Sequence, residues 1–281
     1  MPQSKKNIYI IAAVALVLIF SLLYFLFIFQ KKPKQLVKDS TPTEVKQITE
    51  IDIAKRPFVT ITPTSPGTEV IITMENMSNF DSIEYELTYQ ADNPSTPGEK
   101  IERGATGTDI DPKADKYKKS ILLGTASKGV SSPDKNISDG KLTLHLIKNG
   151  VEYLSETKWD MVQAGAKATS IKDSDNKISV DIPSLGKDYY MIIADTVGVP
   201  VGGDFDVHKA ILPVYGVFTL DVPFSKKAAL TLNTTQDASS SQLYSYDHNS
   251  NQWTKLDSTA NTSSVTSQIG SFGTFVLALT K

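Results

Sequence analysis

An unbroken apolar run near the N-terminus, followed by alternating apolar and polar positions, divides this chain into two kinds of segment. Residues 8–29 contain no charged side chain. At about 1.5 Å of rise per residue they would form a helix of about 33 Å, long enough to cross the hydrocarbon core of a bilayer. Tyr9 and Tyr24 lie toward its ends, where tyrosine favours the headgroup layer. The pattern predicts one transmembrane helix.

Two other roles for an N-terminal apolar segment would leave different marks. A cleaved signal peptide has a shorter apolar core followed by small residues, whereas Phe29 is followed by Gln30, Lys31 and Lys32. A type IV pilin also begins with an apolar helix, but its Gly-Phe-Thr processing site and its glutamate near the helix start are absent here. We therefore predict a permanent anchor, preceded by a short cytoplasmic tail at residues 1–7.

The lysines that flank the predicted helix favour the opposite orientation. Lys5 and Lys6 precede it, and a larger set follows it: Lys31, Lys32, Lys34, Lys38 and Lys46. By the positive-inside rule, this count places the C-terminal side in the cytoplasm. Long soluble domains are translocated largely regardless of charge, however, and the rest of the chain has the composition of an exported β protein. We predict a single-pass cell-membrane protein with its N-terminus in the cytoplasm and the bulk of the chain outside.

Beyond residue 56 the apolar positions recur with period two. In residues 83–89, apolar side chains alternate with Glu84, Glu86 and Thr88, as in a strand with one buried face. Asn149-Gly150 lies between two such stretches and predicts a type I′ hairpin, because both central residues of that turn need positive φ. No stretch here has a sustained 3.6-residue period. The pattern predicts an all-β body.

The spacing of these strands predicts how the body is divided. Each half has about 110 residues, near the size of an immunoglobulin-like sandwich, and small residues at 164–168 separate the halves. We predict two antiparallel, immunoglobulin-like β-sandwich domains at residues 56–163 and 168–281, behind a stalk at residues 30–55. Within the stalk, Thr41-Pro42 and Glu44 fit the capping box of a short helix. An edge strand through Ile51 and Ile53 is the alternative.

The last 40 or so residues resemble a known class of module. Leu243–Asp247 is a Tyr-rich strand, Trp253-Thr254-Lys255-Leu256 follows a turn, and Gly273–Leu277 is a final apolar strand. This order is similar to the closing strands of β-sandwich modules in bacterial cell-surface and secreted proteins. The resemblance implies a β-sandwich fold and a surface location, and it implies no active site.

Charge and cysteine content exclude several functions. Five lysines and no acid occur in the first 34 residues, so the remainder carries 24 basic and 31 acidic residues, a net charge of −7 against −2 for the whole chain. A body of this charge has no basic footprint for nucleic acid. The chain contains no cysteine, which excludes disulfides and thiolate chemistry. Each predicted domain must therefore be stabilised by its apolar core alone.

Three groups of acidic residues are candidate metal ligands. Asp204, Asp206 and His208 have spacing two, which places them on one face of a predicted strand, although polar residues are expected on any solvated face. Asp109 and Asp111 share one predicted loop, and the third group, residues 173–175, lies in another. Carboxylates two residues apart in a loop can bind calcium. We predict no cofactor and keep calcium in one of these loops as an alternative.

Two polar stretches in the first domain, residues 103–116 and 124–140, are predicted as long loops. Structureless loops of more than about 12 residues in a compact domain are usually functional or disordered. We predict weak partner contacts at four residues of the second loop: Ser127, Lys128, Ser132 and Asp134. Mobility without binding is the alternative.

Two functions fit this organisation. The first is a non-enzymatic surface module that binds a protein or glycan partner, mediates adhesion or acts as a spacer. The second is a cell-envelope hydrolase, or another envelope enzyme, with an unrecognised site. A cleft with converging acids would favour the enzyme, whereas flat sheets with mobile loops would favour the module. Because no positioned nucleophile or acid pair is recognisable, we predict the module.

Overall fold

The computed structural model describes residues 44–165, 168–183, 185–220, 222, 226–248 and 250–280. The predicted tail, the predicted membrane helix at 8–29 and the stalk up to residue 43 lie outside these ranges. Within them, no helix has both the length and the apolar character needed to cross a bilayer.

β-Strands make up most of the described chain, which confirms the all-β prediction. In the first half they are β1 (Glu44–Gln47), β2 (Phe58–Pro63), β3 (Glu69–Glu75), β4 (Ser82–Asp92), β5 (Lys100–Gly107), β6 (Lys116–Leu122), β7 (Gly124–Ser127), β8 (Val130–Pro133), β9 (Ser138–Lys148) and β10 (Val151–Ala164). In the second half they are β11 (Ser170–Lys172), β12 (Ile178–Asp181), β13 (Tyr189–Thr196), β14 (Ala210–Phe218), β15 (Ala228–Asn233), β16 (Ser241–Asp247), β17 (Gln252–Lys255), β18 (Ser258–Ala260), β19 (Ser264–Ile269) and β20 (Thr274–Leu279). The described helices are three 3₁₀ turns: Ile48–Glu50, Ile53–Lys55 and Val207–Lys209.

One long sheet runs through both halves of the chain. Its strand order is β17-β16-β20-β14-β13-β10-β9-β4-β5, and β1 pairs with the start of β10. A five-stranded sheet has the order β11-β12-β15-β19-β18, a three-stranded sheet the order β2-β3-β6, and β7 pairs with β8 alone. Apart from the parallel pair of β1 with β10, the described pairs are antiparallel. The fold is therefore a layered, sandwich-like arrangement of sheets.

The hairpin at Asn149-Gly150 has the predicted geometry. Asn149 has a φ of 53° and Gly150 a φ of 77°, and Lys148 pairs with Val151 across the turn. Positive φ at both central residues matches the right-handed twist of the flanking strands. The turn therefore sets the register of β9 and β10, the two strands with the most extensive pairing in the first half.

Two large apolar cores form on opposite faces of the long sheet, and a third, smaller cluster comprises Val199, Val207, Val214 and Val276. In β13, Ile192 and Ala194 pack into the first core, whereas Met191 and Ile193 pack into the second. Successive side chains of a strand point to opposite faces, so a strand that is apolar at consecutive positions can contribute to both cores. The three-stranded sheet covers the first core and the five-stranded sheet covers the second.

Strands from the two halves pair with each other close to the predicted domain boundary. β10, from the first half, pairs with β13, from the second, over residues 159–164 and 189–194. The predicted gap at residues 164–168 therefore follows a strand that belongs to both halves. The division into two immunoglobulin-like domains stays a prediction.

Residues 44–55, the end of the predicted stalk, pack against the body. β1 pairs in parallel with residues 151–154 of β10, and Ile48 and Ile51 are buried in the first core. The capping-box helix through Val45 is not formed, because Glu44–Gln47 is extended and hydrogen-bonds to β10. The alternative edge strand is also displaced, since strand pairing ends before Ile51.

Candidate functional site

The predicted second loop of the first half is largely a regular hairpin. β7 and β8 pair with the register Thr125 to Ser132 and Ser127 to Val130. Lys128 and Gly129 form the turn, with φ values of 50° and 81°. The loop prediction was wrong because neither strand has an apolar face, so the period-two signal is missing. The first predicted loop is also shorter than expected, since residues 103–107 belong to β5.

The β7–β8 hairpin is exposed on both of its faces. Residues 125–133 are all exposed, and they include the predicted contacts Ser127, Lys128 and Ser132. Val130, beside the turn, is 72% exposed, more than any other large apolar side chain in the described ranges. The hairpin therefore presents polar groups, one lysine and one apolar side chain to solvent.

Asp134, the fourth predicted contact, lies at the base of the hairpin and not on its surface. Its side chain is only 7% exposed. It accepts a hydrogen bond of 2.9 Å from the Tyr89 hydroxyl, and its Oδ2 lies 3.5 Å from Nε of Arg103. Burial raises the pKa of Tyr89, and the Asp134 carboxylate raises it further. Asp134 thus fastens the hairpin to β4 and β5.

The predicted strand through Asp204, Asp206 and His208 is absent. Asp204 lies in a turn after Gly203, and Asp206 caps the 3₁₀ helix Val207–Lys209 by accepting a hydrogen bond from the amide of His208. The strand prediction failed because a short acidic side chain that bonds its own backbone competes with an extended conformation. His208 lies 3.3 Å from Asp206 and 3.2 Å from Asp52, and hydrogen bonds to these two carboxylates raise its pKa.

The loop candidates for calcium are occupied by protein groups. Asp109 accepts hydrogen bonds from Lys119 at 3.0 Å and from the Tyr117 hydroxyl at 3.1 Å, and these bonds lower its pKa. Asp111 accepts one from the amide of Lys113 at 2.9 Å. In the ranges that the structure describes, no group of three His, Asp or Glu residues is arranged to hold a metal ion.

A cleft that the sequence patterns did not predict contains a cluster of acidic side chains. We call it the acidic cleft. It has a volume of about 240 Å³, and its lining residues are Glu156, Lys158, Asp160, Asp173, Ser174, Asp175, Ile193, Ala194, Asp195 and Tyr215. The polar face of β10, the end of β13 and the middle of β14 form its floor, and the turn between β11 and β12 borders it. Strands from both halves of the chain thus build one site.

Asp195 is a strongly perturbed group in the acidic cleft. Its Oδ1 is buried and makes no hydrogen bond with any residue in the described ranges. Burial raises the pKa of Asp195 to about 7, and a hydrogen bond from its own backbone amide and the charge of Lys158 offset only part of this rise. Tyr215 pairs with Asp195 across β13 and β14, and burial, followed by the charge of Asp195, raises its pKa. The cleft therefore holds a carboxyl group that is half-protonated near neutral pH.

A second carboxylate lies diagonally across the strand pair from Asp195. Asp160 pairs with Ile193, so it is the diagonal neighbour of Asp195, at about 7–8 Å between α-carbons. Asp160 accepts hydrogen bonds from the amide and the hydroxyl of Ser174, at 2.9 and 3.0 Å. Lys158 pairs with Asp175 at 3.1 Å, and among the described residues no cation forms an ion pair with Asp195.

The sequence contained one signal for this cleft. Asp195 ends the apolar run 191–194 at a position whose side chain points to the same face as Ile193. An isolated acid in phase with a buried face is unusual, because a buried carboxylate without a partner is costly. Which residues of β10 and β14 lie beside Asp195 is decided by pairing between strands that are distant in sequence, and local patterns do not specify that pairing.

No known protein family, curated protein or solved structure matches this chain. The resemblance of the closing strands to bacterial surface modules therefore stays a prediction. What the protein does is inferred from its own residues.

Proposed function

We propose that this protein is a membrane-anchored module exposed outside the cytoplasm, and that its β7–β8 hairpin binds a partner protein. The observation that carries this proposal is the exposure of the hairpin, which leaves Val130 and the turn at Lys128 accessible. The anchor is proposed from the charge-free apolar run at residues 8–29.

The chemistry of the hairpin favours a protein partner. Both outer edges of a two-stranded sheet carry backbone groups that can pair with another strand. An exposed apolar side chain beside such an edge adds burial to the main-chain hydrogen bonds. Asp134 holds the base of the hairpin by accepting the hydrogen bond of the Tyr89 hydroxyl, so binding requires little additional ordering.

Site-specific photo-crosslinking in cells tests the hairpin. A photoreactive residue at position 130 of the full chain should yield a protein adduct. The same residue at Val201, which is 56% exposed and distant in sequence, is the matched control. Changing Lys128→Glu should reduce the adduct at position 130 without changing the amount of protein at the membrane. Equal adducts from positions 130 and 201 would place the binding surface elsewhere.

Reporter fusions test location independently. An enzyme that is active only outside the cytoplasm, fused after residue 281, should be active. A fluorescent protein that matures only inside should remain dark. The reverse pattern would support the orientation that the flanking lysines favour.

The acidic cleft favours a second function, hydrolysis of a glycosidic bond in an envelope polymer. In such a reaction an acid protonates the leaving oxygen as the C–O bond breaks, and a second carboxylate accepts a proton from the attacking water. Asp195 has the raised pKa of the acid. Asp160, the diagonal neighbour of Asp195 on the adjacent strand, is the candidate for the second carboxylate.

Release of reducing ends from purified cell-wall glycan by the full chain tests this second function. Asp195→Asn should lower the rate at least about a hundredfold, the usual effect of losing a general acid. The rate of the native chain should fall as pH rises above about 7, when Asp195 loses its proton. Failure to release reducing ends, or equal rates for the native chain and the variant, would exclude it.

A further inference from the structure

The register of the β7–β8 hairpin decides which backbone groups its two outer edges present. A two-residue turn at 128–129 makes Ser127 and Val130 the first hydrogen-bonded pair. At the base, the amide of Asp134 donates to the carbonyl of Leu123 at 2.9 Å. Bonded and non-bonded pairs alternate along an antiparallel ladder, and both ends of this ladder agree. Every second residue of each strand therefore directs its backbone groups away from the hairpin.

The outer edge of β7 carries two donors and two acceptors. Because a peptide bond is trans, an amide and the carbonyl that precedes it point in opposite directions. The outward groups of β7 are therefore the carbonyl of Gly124, the amide and carbonyl of Ala126 and the amide of Lys128. None of these groups is hydrogen-bonded to another residue that the structure describes. The edge is available to a neighbouring strand.

The outer edge of β8 is less suited to pairing. Its outward residues are Ser131 and Pro133, and proline has no amide to donate. Proline and lysine are common means by which folded proteins protect the edges of sheets. β6, at the edge of the three-stranded sheet, carries three lysines. β7, by contrast, has neither a proline nor a charged residue. The contrast indicates that β7 is the edge that another strand joins.

A second copy of this chain complements β7 residue by residue. If two β7 strands run antiparallel about a two-fold axis at Ala126, the amide of each Ala126 meets the carbonyl of the other. The amide of each Lys128 then meets the carbonyl of Gly124 in the other copy, so all the outward groups of both edges are used. Thr125 lies opposite Ser127, and hydroxyls at such positions hydrogen-bond across strands. Gly124 leaves room for the side chain of Lys128.

We propose that the partner of the β7–β8 hairpin is a second copy of this chain, joined edge to edge through β7. This inference rests on the proposed function, because it names the protein that the hairpin binds. The antiparallel arrangement brings Lys128 of each copy to the base of the other hairpin. The chain beyond residue 34 has 24 basic and 31 acidic residues, so this lysine offsets part of the repulsion between two acidic bodies.

The contact is small, so the proposed dimer is weak in solution. Stable interfaces usually bury more than about 1,000 Å², and two short strands bury less. Anchoring both copies in one membrane raises their effective concentration and favours the dimer. The protein is therefore tested in the membranes of the cells that produce it.

Disulfide trapping on the full chain tests the two-fold contact. The native chain has no cysteine, so one introduced thiol reports only on its own surroundings. The α-carbons of a hydrogen-bonded antiparallel pair lie about 5.5 Å apart, which a disulfide can span. Oxidation of Ala126→Cys with copper-phenanthroline should give a species of twice the mass on a gel without reductant. Ser131→Cys, at the position paired with Ala126 on β8, is the matched control and should stay monomeric.

Two proline variants test the edge without a cysteine. Ala126→Pro removes an outward amide and none of the bonds between β7 and β8. With a photoreactive residue at position 130, this change should lower the yield of dimer adduct at least about fivefold, because each copy loses one hydrogen bond to the other. Ser131→Pro removes the outward amide of β8 and should leave the yield unchanged.

The outcomes separate this inference from the proposed function. Equal disulfide yields from Ala126→Cys and Ser131→Cys, or no dimer from either, would overturn the assignment of a second copy. An adduct from position 130 that contains a different protein, without a disulfide dimer of Ala126→Cys, would also overturn it and leave the proposed function standing. The absence of both the disulfide dimer and any adduct would overturn both.

Discussion

Asp195→Asn should make the protein more stable above neutral pH. The native carboxyl is buried in the acidic cleft with an unpaired Oδ1, so its ionised form is poorly solvated. In the unfolded chain the same group ionises near its ordinary pKa of 3.8. Because the folded-state pKa is raised, the folded protein binds the proton more tightly, and stability falls as pH rises from about 4 to about 7. Asparagine carries no proton to lose.

The size of this effect follows from the two pKa values. A rise from 3.8 to about 7, at about 1.4 kcal/mol for each pKa unit, sets an upper limit of about 4 kcal/mol. Below pH 4 the native chain and the Asp195→Asn variant should have similar free energies of unfolding. Above pH 7 the variant should be more stable by up to that amount. Urea denaturation of the full chain in micelles, repeated across this pH range, measures the difference.

A variant with the opposite sign provides the control. Hydrogen bonds from Lys119 and Tyr117 lower the pKa of Asp109, so this group stabilises the fold above its unfolded pKa and loses that effect in acid. Asp109→Asn should therefore be less stable than the native chain at neutral pH and equal to it at low pH. If the difference between Asp195→Asn and the native chain does not change with pH, Asp195 is not a buried ionisable group and the acidic cleft is misassigned.

Two further predictions concern packing in the first half. Asp134→Ala removes the acceptor of the Tyr89 hydroxyl and should lower the free energy of unfolding by about 2 kcal/mol; a loss below about 0.5 kcal/mol would argue against a structural role. Gly140→Ala places a β-carbon 2.4 Å from the ring of Trp159 and should cost about 2 kcal/mol by overpacking. Gly270→Ala, where the β-carbon meets no atom within 4 Å, should be nearly neutral in the same denaturation assay.

Local patterns were sufficient for the strands whose two faces differ. Residues 83–89 alternate between buried and exposed positions as predicted, and Asn149-Gly150 makes the predicted turn. Both features depend only on neighbours along the chain, because side-chain period and turn conformation are local properties. The same rule explains why β7 and β8 were missed, since their residues are exposed on both faces.

The site features depended on pairing between distant residues. Asp160 lies near Asp195 because β10 pairs with β13, and Tyr215 lies beside Asp195 because β14 pairs with β13. A period-two pattern states which face a side chain occupies and does not state which strand lies beside it. The error at residues 204–208 was local, because alternating polar residues are equally compatible with a capped turn.

The last prediction concerns unfolding of the body, in which strand β13 contributes side chains to both large cores. β13 contributes Ile192 to the first core and Ile193 to the second, so neither core can lose that strand without exposing the other. We therefore expect a single cooperative transition. The chain has two tryptophans, Trp159 in the first core and Trp253 in the second half. The Trp253→Phe variant retains Trp159 and reports on the first half, and the Trp159→Phe variant retains Trp253 and reports on the second. The midpoints of the two transitions are compared after correction for the stability change that each substitution causes. Two transitions within one variant, or midpoints that stay apart after correction, would indicate independent domains.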